Sequence, residues 1–215
     1  MPRRAPINPT ACYHVSTRGN YGAPLFRTRD ECRLYLHLYA RAAAKFAWRT
    51  LSWCLIWNHN HFLIELSDGG LTEGMRAINH GFSRRMNAAH DQTGRGHLVR
   101  HGFFADEITS DAHLASVSRY IDLNPVAAAR CERPEDWDWS GYAATLGLDH
   151  PQPFHDPLRL LRHFGSTPER ARIAYRRFVL QPEAQEAIPG KGYRSVTAAG
   201  AWSGVVRSGS WPLRS

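Results

Sequence analysis

The apolar residues of this chain recur at two different spacings, and the change of spacing marks the predicted elements. Two stretches carry apolar residues three or four positions apart, which is typical of the buried face of a helix. Between them, residues 52–66 predict two strands joined by a tight turn at Trp57 and Asn58. The predicted strands are 11–17, 48–56, 61–66 and one within 96–108, and the predicted helices are 28–45, 71–90 and 111–129. The apolar positions are Leu34, Leu38 and Ala42 in the first helix and Met75, Ile78, Phe82 and Met86 in the second.

The order of these elements predicts the fold class. Strand, helix, hairpin, helix and strand is the βαββαβ order of a ferredoxin-like sandwich, an α+β fold, and the helix 111–129 is appended to it. In such a sandwich helices cover one face of the sheet, and we expect the hairpin strands to expose the other face as an open platform. Because this plan hosts many activities, the fold alone does not indicate a function.

The sequence changes character after Leu146. Residues 149–153 contain two prolines and predict a linker. A helix is predicted over 166–180, because an N-cap residue and an early proline open it. From Pro189 onward Gly, Ser and Ala are frequent, and Trp202 and Trp211 are the candidate docking points of a mobile or loosely docked tail. We therefore divide the chain into a main domain (1–148), a helical extension (149–185) and a flexible tail (186–215).

The charge of the chain favours a polyanionic partner. Lys and Arg number 27 against 19 Asp and Glu, a net charge of +8, and all the basic residues except Lys45 and Lys191 are Arg. The planar guanidinium binds phosphates and guanine edges through two hydrogen bonds at once. A GC-rich coding bias also raises Arg content, so the net charge carries more weight than the choice of Arg.

The cysteines and the apolar runs indicate the compartment. The four cysteines, at positions 12, 32, 54 and 131, lack the C-x₂-C spacing of a zinc site, and no secretory signal precedes them. We expect them to be reduced and buried in a cytoplasmic protein. No stretch approaches the roughly 20 apolar residues of a membrane helix, so no membrane partner is expected.

His59-Asn60-His61 is the first candidate site. Side chains two apart on a strand point the same way, with Cα atoms ~6.6–6.8 Å apart. Two imidazoles at this spacing can bind one metal ion. The alternative is a pair of surface histidines in a chain that contains 12.

Tyr120 and Asn124 form the second candidate site, on the helix that begins near residues 109–111. Residues four apart are neighbours on a helix, with Cβ atoms roughly 5–6 Å apart. A phenol can act as a nucleophile, and an amide oxygen suits Mg²⁺ or Mn²⁺ beside imidazole. The alternative is that Tyr120 packs in a core and Asn124 caps the helix end before Pro125.

Four segments in this order resemble the REP-associated tyrosine transposases, which are relatives of the insertion-sequence transposases in the HUH single-tyrosine group. The resemblance covers about residues 11–145. The segments are YHVSTRGN at 13–20, NHNH at 58–61, YIDLNPV at 120–126 and WDWSGY at 137–142.

The resemblance implies a chemistry. A metal ion held by His59, His61 and Asn124 would bind the scissile phosphate, and Tyr120 would attack phosphorus to give a 5′-phosphotyrosyl link and a free 3′-hydroxyl. The implied substrate is single-stranded DNA that folds into imperfect hairpins, the repetitive extragenic palindromes, cut beside the stem. His59 and His61 would then line the platform on which a DNA strand lies.

The candidate DNA contacts lie in a loop and on basic stretches. Each of these basic residues taken alone is better explained as a solvated charge. Related insertion-sequence enzymes form dimers in which the partner supplies the tyrosine, so monomer and homodimer both stay open. A tight loop before the Tyr-bearing helix would favour action within one chain. The candidate contacts are Arg18, Asn20, Arg84, Arg85, Arg95 and Arg100.

Two residues depart from the family's pattern. Asn60 stands between the histidines where a hydrophobic residue is usual, and Trp57 stands where proline is usual. A buried Asn without partners would cost about 1–3 kcal/mol. We therefore expect Asn60 to be hydrogen-bonded locally or partly exposed.

Two other functions are consistent with the same residues. One is a DNA-hairpin-binding protein without catalysis, which the Asn60 departure would suit. The other is a metal-dependent hydrolase in which Tyr120 plays no part. The only acidic residues near the two motifs are Glu65 and Asp122, which argues against the hydrolase.

Overall fold

A four-stranded antiparallel sheet forms the centre of the molecule, with the strands in the order β2-β3-β1-β4. The computed structural model describes residues 6–90, 98–99 and 102–181. The element order confirms the predicted α+β, ferredoxin-like fold with an appended Tyr-bearing helix. The strands are β1 (Cys12–Arg18), β2 (Arg49–Ile56), β3 (His59–Glu65) and β4 (Phe104–Glu107), and the first three helices are α1 (Arg29–Lys45), α2 (Leu71–Ala89) and α3 (Asp111–Ala127).

Some element bounds differ from the prediction. β3 begins two residues earlier than predicted, because Trp57 and Asn58 alone form the turn. α3 ends two residues early, and Ala129 just beyond it has a φ of 52°, outside the right-handed helical region. β4 occupies only four residues of the predicted 96–108. The predicted starts of α1 and α3 are confirmed. The Thr28 and Ser110 side chains accept hydrogen bonds from backbone N–H groups in the first turns of these helices.

Aromatic rings close the face of the sheet under α1 and α2. Phe62 and Ile64 alternate out of β3 toward these helices and are fully buried. Tyr39 of α1 stacks on Phe62 with ring centroids 4.0 Å apart, and Tyr35 meets Phe82 of α2 edge to face at 5.2 Å. This packing joins both helices to the sheet.

The opposite face is covered as well, and the expectation that the hairpin strands leave it open is wrong. Leu51, Cys54 and Leu63 are apolar side chains on this face, so water must be kept from them. α3 lies over β2, and three C-terminal helices extend the cover. These helices are α4 (Tyr142–Thr145), α5 (Pro157–Leu161) and α6 (Pro168–Leu180).

Polar contacts join α3 to its surroundings. The Asp122 carboxylate accepts hydrogen bonds from Ser52 Oγ of β2, at 2.8 Å, and from the Tyr175 hydroxyl of α6. The Arg119 guanidinium donates to the carbonyl of Val179 at 3.0 Å. The helical extension, as far as residue 181, therefore shares a core with the Tyr-bearing helix. The predicted tail falls outside the described residues.

Within the described ranges, none of the helices combines the length and the apolar character needed to cross a bilayer. Cys32 and Cys54 are buried as expected, whereas Cys12 and Cys131 are half-buried, and all four are free thiols.

Candidate active site

His59 and His61 leave β3 on the same face, as the spacing predicts. Their ring centroids lie 4.9 Å apart, with the ring planes at 78°. His61 is only 3% exposed and His59 is half-buried. The alternative of two surface histidines is therefore wrong.

α3 brings Tyr120 and Asn124 to these histidines within one chain. The Tyr120 ring lies edge-on to His61 with centroids 5.2 Å apart. The Asn124 side-chain oxygen, Oδ1, lies 3.0 Å from Nε2 of His59. Only three residues separate the end of β4 at Glu107 from the start of α3, which is the tight loop that favours action within one chain.

The Asn124 side chain does not cap its helix. The backbone N–H of Ala128 at the helix end donates to the backbone carbonyl of Asn124, at 2.9 Å. The side chain instead turns toward His59 and is 7% exposed. The Asn124 oxygen thus lies beside a histidine nitrogen in a cleft, which is the position that a metal-binding side chain would occupy.

The contacts of His59 test whether this set of atoms fits a metal ion. His59 Nδ1 lies 2.6 Å from Asn58 Oδ1, and Nε2 lies 3.0 Å from Asn124 Oδ1. A neutral imidazole has one N–H and can donate to only one of these oxygens. With the proton on Nδ1, the Nε2 lone pair faces the Asn124 oxygen, an arrangement that a cation between them stabilises. Ligand atoms bonded at about 2.0–2.2 Å and at right angles lie about 3 Å apart, so the spacing fits.

Burial keeps both histidines neutral. It lowers the pKa of His59 to about 4, although the contact with Asn124, which favours the protonated ring, acts in the opposite direction. Burial, followed by the repulsion that protonated His59, protonated His14 and Arg18 would exert, lowers the pKa of His61 well below its ordinary value. A neutral imidazole is the form that binds metals.

His14 belongs to the same cleft and was missed as a site residue from the sequence. Its Nε2 lies 3.0 Å from Nδ1 of His61, and its ring is 5.9 Å from that of Tyr120. It is 1% exposed. The signal that could have found it is strand pairing, because β1 lies beside β3 and the His14 position pairs with Leu63 on the histidine face.

Asn60 and Trp57, the two departures from the family's pattern, both have local partners. Asn60 is fully buried on the helical face, and its Oδ1 accepts a hydrogen bond from the backbone N–H of Thr17 at 3.0 Å. Local hydrogen bonding, the first of the two expected solutions, is therefore observed for the Asn60 oxygen, whereas among the described residues its buried Nδ2 has no hydrogen-bond partner. The Trp57 ring lies under the Arg130 guanidinium at 5.7 Å. Neither departure displaces the histidines.

Arg18 and Asn20 lie at the end of β1 next to the site. Arg18 pairs with His59 across the β1–β3 ladder and is exposed. Its charge contributes to the lowered pKa of both histidines, which places it near them. Asn20 is half-buried, and its backbone N–H donates to the carbonyl of Leu98 at 2.9 Å.

The other candidate DNA contacts lie elsewhere. Arg84 and Arg85 are exposed on α2, in the layer on the opposite side of the sheet from the histidines. The structure therefore does not bring them into the histidine cleft, and their role in DNA binding stays a prediction. Arg95 and Arg100 lie outside the described residues.

Across residues 6–90, 98–99 and 102–181, no group of three or more His, Cys, Asp or Glu side chains is arranged to hold a metal ion. Glu65, one of the two acids near the motifs, forms ion pairs with Arg49 and Arg159. Asp122, the other, is a fully buried residue of α3, and burial raises its pKa to about 7. The carboxylate-rich site of a metal-dependent hydrolase is thus not found in these residues.

The antiparallel sheet, its two covering helices and the added helix α3 define the fold class of the Y1 transposases. The model of the family described as Transposase IS200 like matches residues 9–124, more than half of the chain, and the chain belongs to this family.

A solved structure gives an independent comparison. The chain is similar to the REP-associated tyrosine transposase bound to a REP hairpin, with a TM-score of 0.57 and 17% sequence identity. The similarity covers 72% of this chain and 88% of that one, and at this identity it shows the fold. No curated protein matches the chain.

Proposed function

We propose that this transposase-family protein nicks single-stranded DNA beside a hairpin and transfers the strand through a 5′-phosphotyrosine on Tyr120. His59, His61 and Asn124 would hold Mg²⁺ or Mn²⁺. The observation that carries the proposal is the meeting of two helix residues with two strand residues: Asn124 Oδ1 lies 3.0 Å from His59, and the Tyr120 ring lies 5.2 Å from His61.

The proposed reaction exchanges the bond from phosphorus to the 3′ oxygen for a bond from phosphorus to the Tyr120 oxygen. The Tyr120 oxygen attacks phosphorus in line and loses its proton, a tyrosyl O–P bond forms, and the bond from phosphorus to the 3′ oxygen breaks. The 3′ oxygen takes up a proton and leaves as a hydroxyl. The reverse reaction with another 3′-hydroxyl rejoins DNA without ATP, because the phosphotyrosine retains the bond energy. A bound ion would offset the charge of the scissile phosphate.

His14 would act as a positioning residue in this site. Its contact with Nδ1 of His61 is 3.0 Å long and buried, so it can fix the orientation and the tautomer of that ring. Such outer partners of a metal-binding histidine typically change metal affinity by about 10–100-fold.

Action within one chain is part of the proposal. Tyr120 already lies against His61 of its own chain, and α3 is held there by Asp122 and Arg119. A monomer would therefore contain the whole site.

Hairpin DNA is the proposed substrate for two reasons. The net charge of +8 favours a polyanion, and the solved structure of similar fold is bound to a REP hairpin. The alternative of hairpin binding without catalysis is an outcome of the test that follows.

The test uses one hairpin oligonucleotide with single-stranded flanks, labelled at either end, with Mn²⁺ or with EDTA. The 3′-labelled strand should become attached to the protein, and the 5′-labelled strand should appear as a shorter free fragment, only with Mn²⁺. Mn²⁺ binding followed by electron paramagnetic resonance should be lost in His61→Ala and weakened in His14→Phe. Tight hairpin binding without any cleavage would instead support the binding protein.

A further inference from the structure

The loop between β1 and α1, residues 19–28, exposes an aromatic ring to solvent next to the site. Tyr21 is 95% exposed and occupies the middle of the turn Asn20–Gly22. Its φ is 52°, in the left-handed region that residues other than Gly, Asn and Asp rarely adopt. An unfavourable backbone conformation that presents an apolar ring to water calls for a functional explanation.

Backbone hydrogen bonds hold this loop against the turn of the histidine hairpin. The N–H of Gly19 donates to the carbonyl of Asn58 at 2.9 Å, and the N–H groups of Leu25 and Phe26 both donate to the carbonyl of Trp57, at 2.7 and 2.8 Å. A Cβ at Gly19 would lie 2.1 Å from the carbonyl oxygen of Ala23, so the chain folds back closely there. These hydrogen bonds fix the backbone on both sides of Tyr21.

The position of the loop links Tyr21 to the proposed chemistry. Arg18, three residues before it, pairs with His59 in the sheet. Three peptide units span at most about 11 Å, so Tyr21 lies within a few nucleotides of the histidines. Arg18 is exposed, and its place beside His59 puts a cationic side chain near both the histidines and Tyr21.

We infer that Tyr21 is a stacking site for one unpaired base of the DNA strand that flanks the hairpin, with Arg18 bound to a neighbouring phosphate. An aromatic ring beside a cationic group is the combination with which proteins bind single strands, because every base has a π face. An unpaired base suits it better than the stem, whose bases are already stacked in pairs. The inference rests on the proposed function and names a subsite within it.

The test compares Tyr21→Phe and Tyr21→Asn in the full chain, with EDTA to prevent cleavage. Asn tolerates the left-handed conformation, so Tyr21→Asn removes the ring and keeps the loop, and its thermal midpoint should not fall. For a hairpin with single-stranded flanks, Tyr21→Asn should weaken binding about 5- to 100-fold. Tyr21→Phe should bind as the wild type does. Ile173→Asn is the matched control, because Ile173 is also an exposed apolar residue but lies on α6, and this variant should bind the hairpin as the wild type does.

A base analogue locates the contact. 2-Aminopurine placed in turn at each unpaired position should be quenched by the wild type at one position, and that quenching should disappear in Tyr21→Asn. A blunt hairpin without flanks should bind equally to all variants. Unchanged affinity and fluorescence in Tyr21→Asn, or an equal loss on the blunt hairpin, would overturn the inference. Failure of the wild type to prefer the hairpin over a scrambled strand would overturn the proposed function instead.

Discussion

Both faces of β3 are covered by helices, but they differ in what they bury. Phe62 and Ile64 point into an aromatic core under α1 and α2, whereas His59 and His61 point into a cleft under α3. Covering a sheet face therefore does not distinguish a core from a site in this protein. The distinction lies in the polar atoms, because the histidine face buries neutral imidazoles, which we propose take part in the chemistry, in place of apolar side chains.

The largest expected effect is on the aromatic face. Tyr39→Ala should lower the free energy of unfolding by about 3–5 kcal/mol, because it removes a buried ring stacked 4.0 Å from Phe62. His61→Ala, on the other face of the same sheet, should cost much less stability while abolishing cleavage. Urea unfolding of both variants checks the contrast, and similar losses of stability would remove the difference between the faces.

The next effect concerns the polar contacts that hold α3. Tyr175→Phe removes a hydrogen bond to the buried Asp122 and should cost about 1–3 kcal/mol. Tyr142→Phe is the matched control, because among the described residues its buried hydroxyl has no hydrogen-bond partner. Thermal unfolding should show a lower midpoint for Tyr175→Phe and an unchanged or higher one for Tyr142→Phe. Equal midpoints would show that the Asp122 contact contributes nothing.

The free energy of unfolding should also depend on pH through His155, a buried histidine outside the site. Burial lowers the pKa of His155 from 6.5 to about 4. Its contribution to stability is therefore complete above pH 6.5 and is lost as the pH falls through 4, because the unfolded state binds the proton more readily. His155→Gln should reduce the dependence of unfolding free energy on pH in this range, by up to about 1.4 kcal/mol per pH unit. Unchanged pH dependence would contradict the buried neutral state.

The smallest expected effect is on the salt dependence of DNA affinity, and it compares surface arginines on the two sides of the sheet. If about six Arg contact single-stranded DNA, the logarithm of the affinity should fall with the logarithm of salt concentration at a slope of roughly −4. Arg18→Gln should make that slope about 0.7 less steep, whereas Arg33→Gln, on the outer side of α1, should leave it unchanged. The hairpin should be preferred over a scrambled strand at every salt concentration. Equal affinity for both would indicate a non-specific basic surface.

The sequence predicted the elements whose residues follow a clear period, including the apolar stripe of α2 and the paired histidines of β3. It missed the place of His14 in the cleft because that place depends on which strand lies beside β3, a long-range pairing that local spacing does not encode. It predicted an open histidine face because the apolar residues of β2 are covered by helices that follow far along the chain, and local spacing does not indicate that contact. The positions of Tyr120 and Asn124 relative to the histidines were predicted from resemblance together with helical spacing.

The central claim is that Tyr120 is the nucleophile of a site that the chain completes by itself. Tyr120→Phe removes one oxygen and should abolish the covalent protein–DNA adduct while leaving hairpin affinity nearly unchanged. Tyr13→Phe and Tyr142→Phe, both buried tyrosines, should form the adduct at the wild-type level. An adduct that persists in Tyr120→Phe would contradict the account, because another residue would then be the nucleophile.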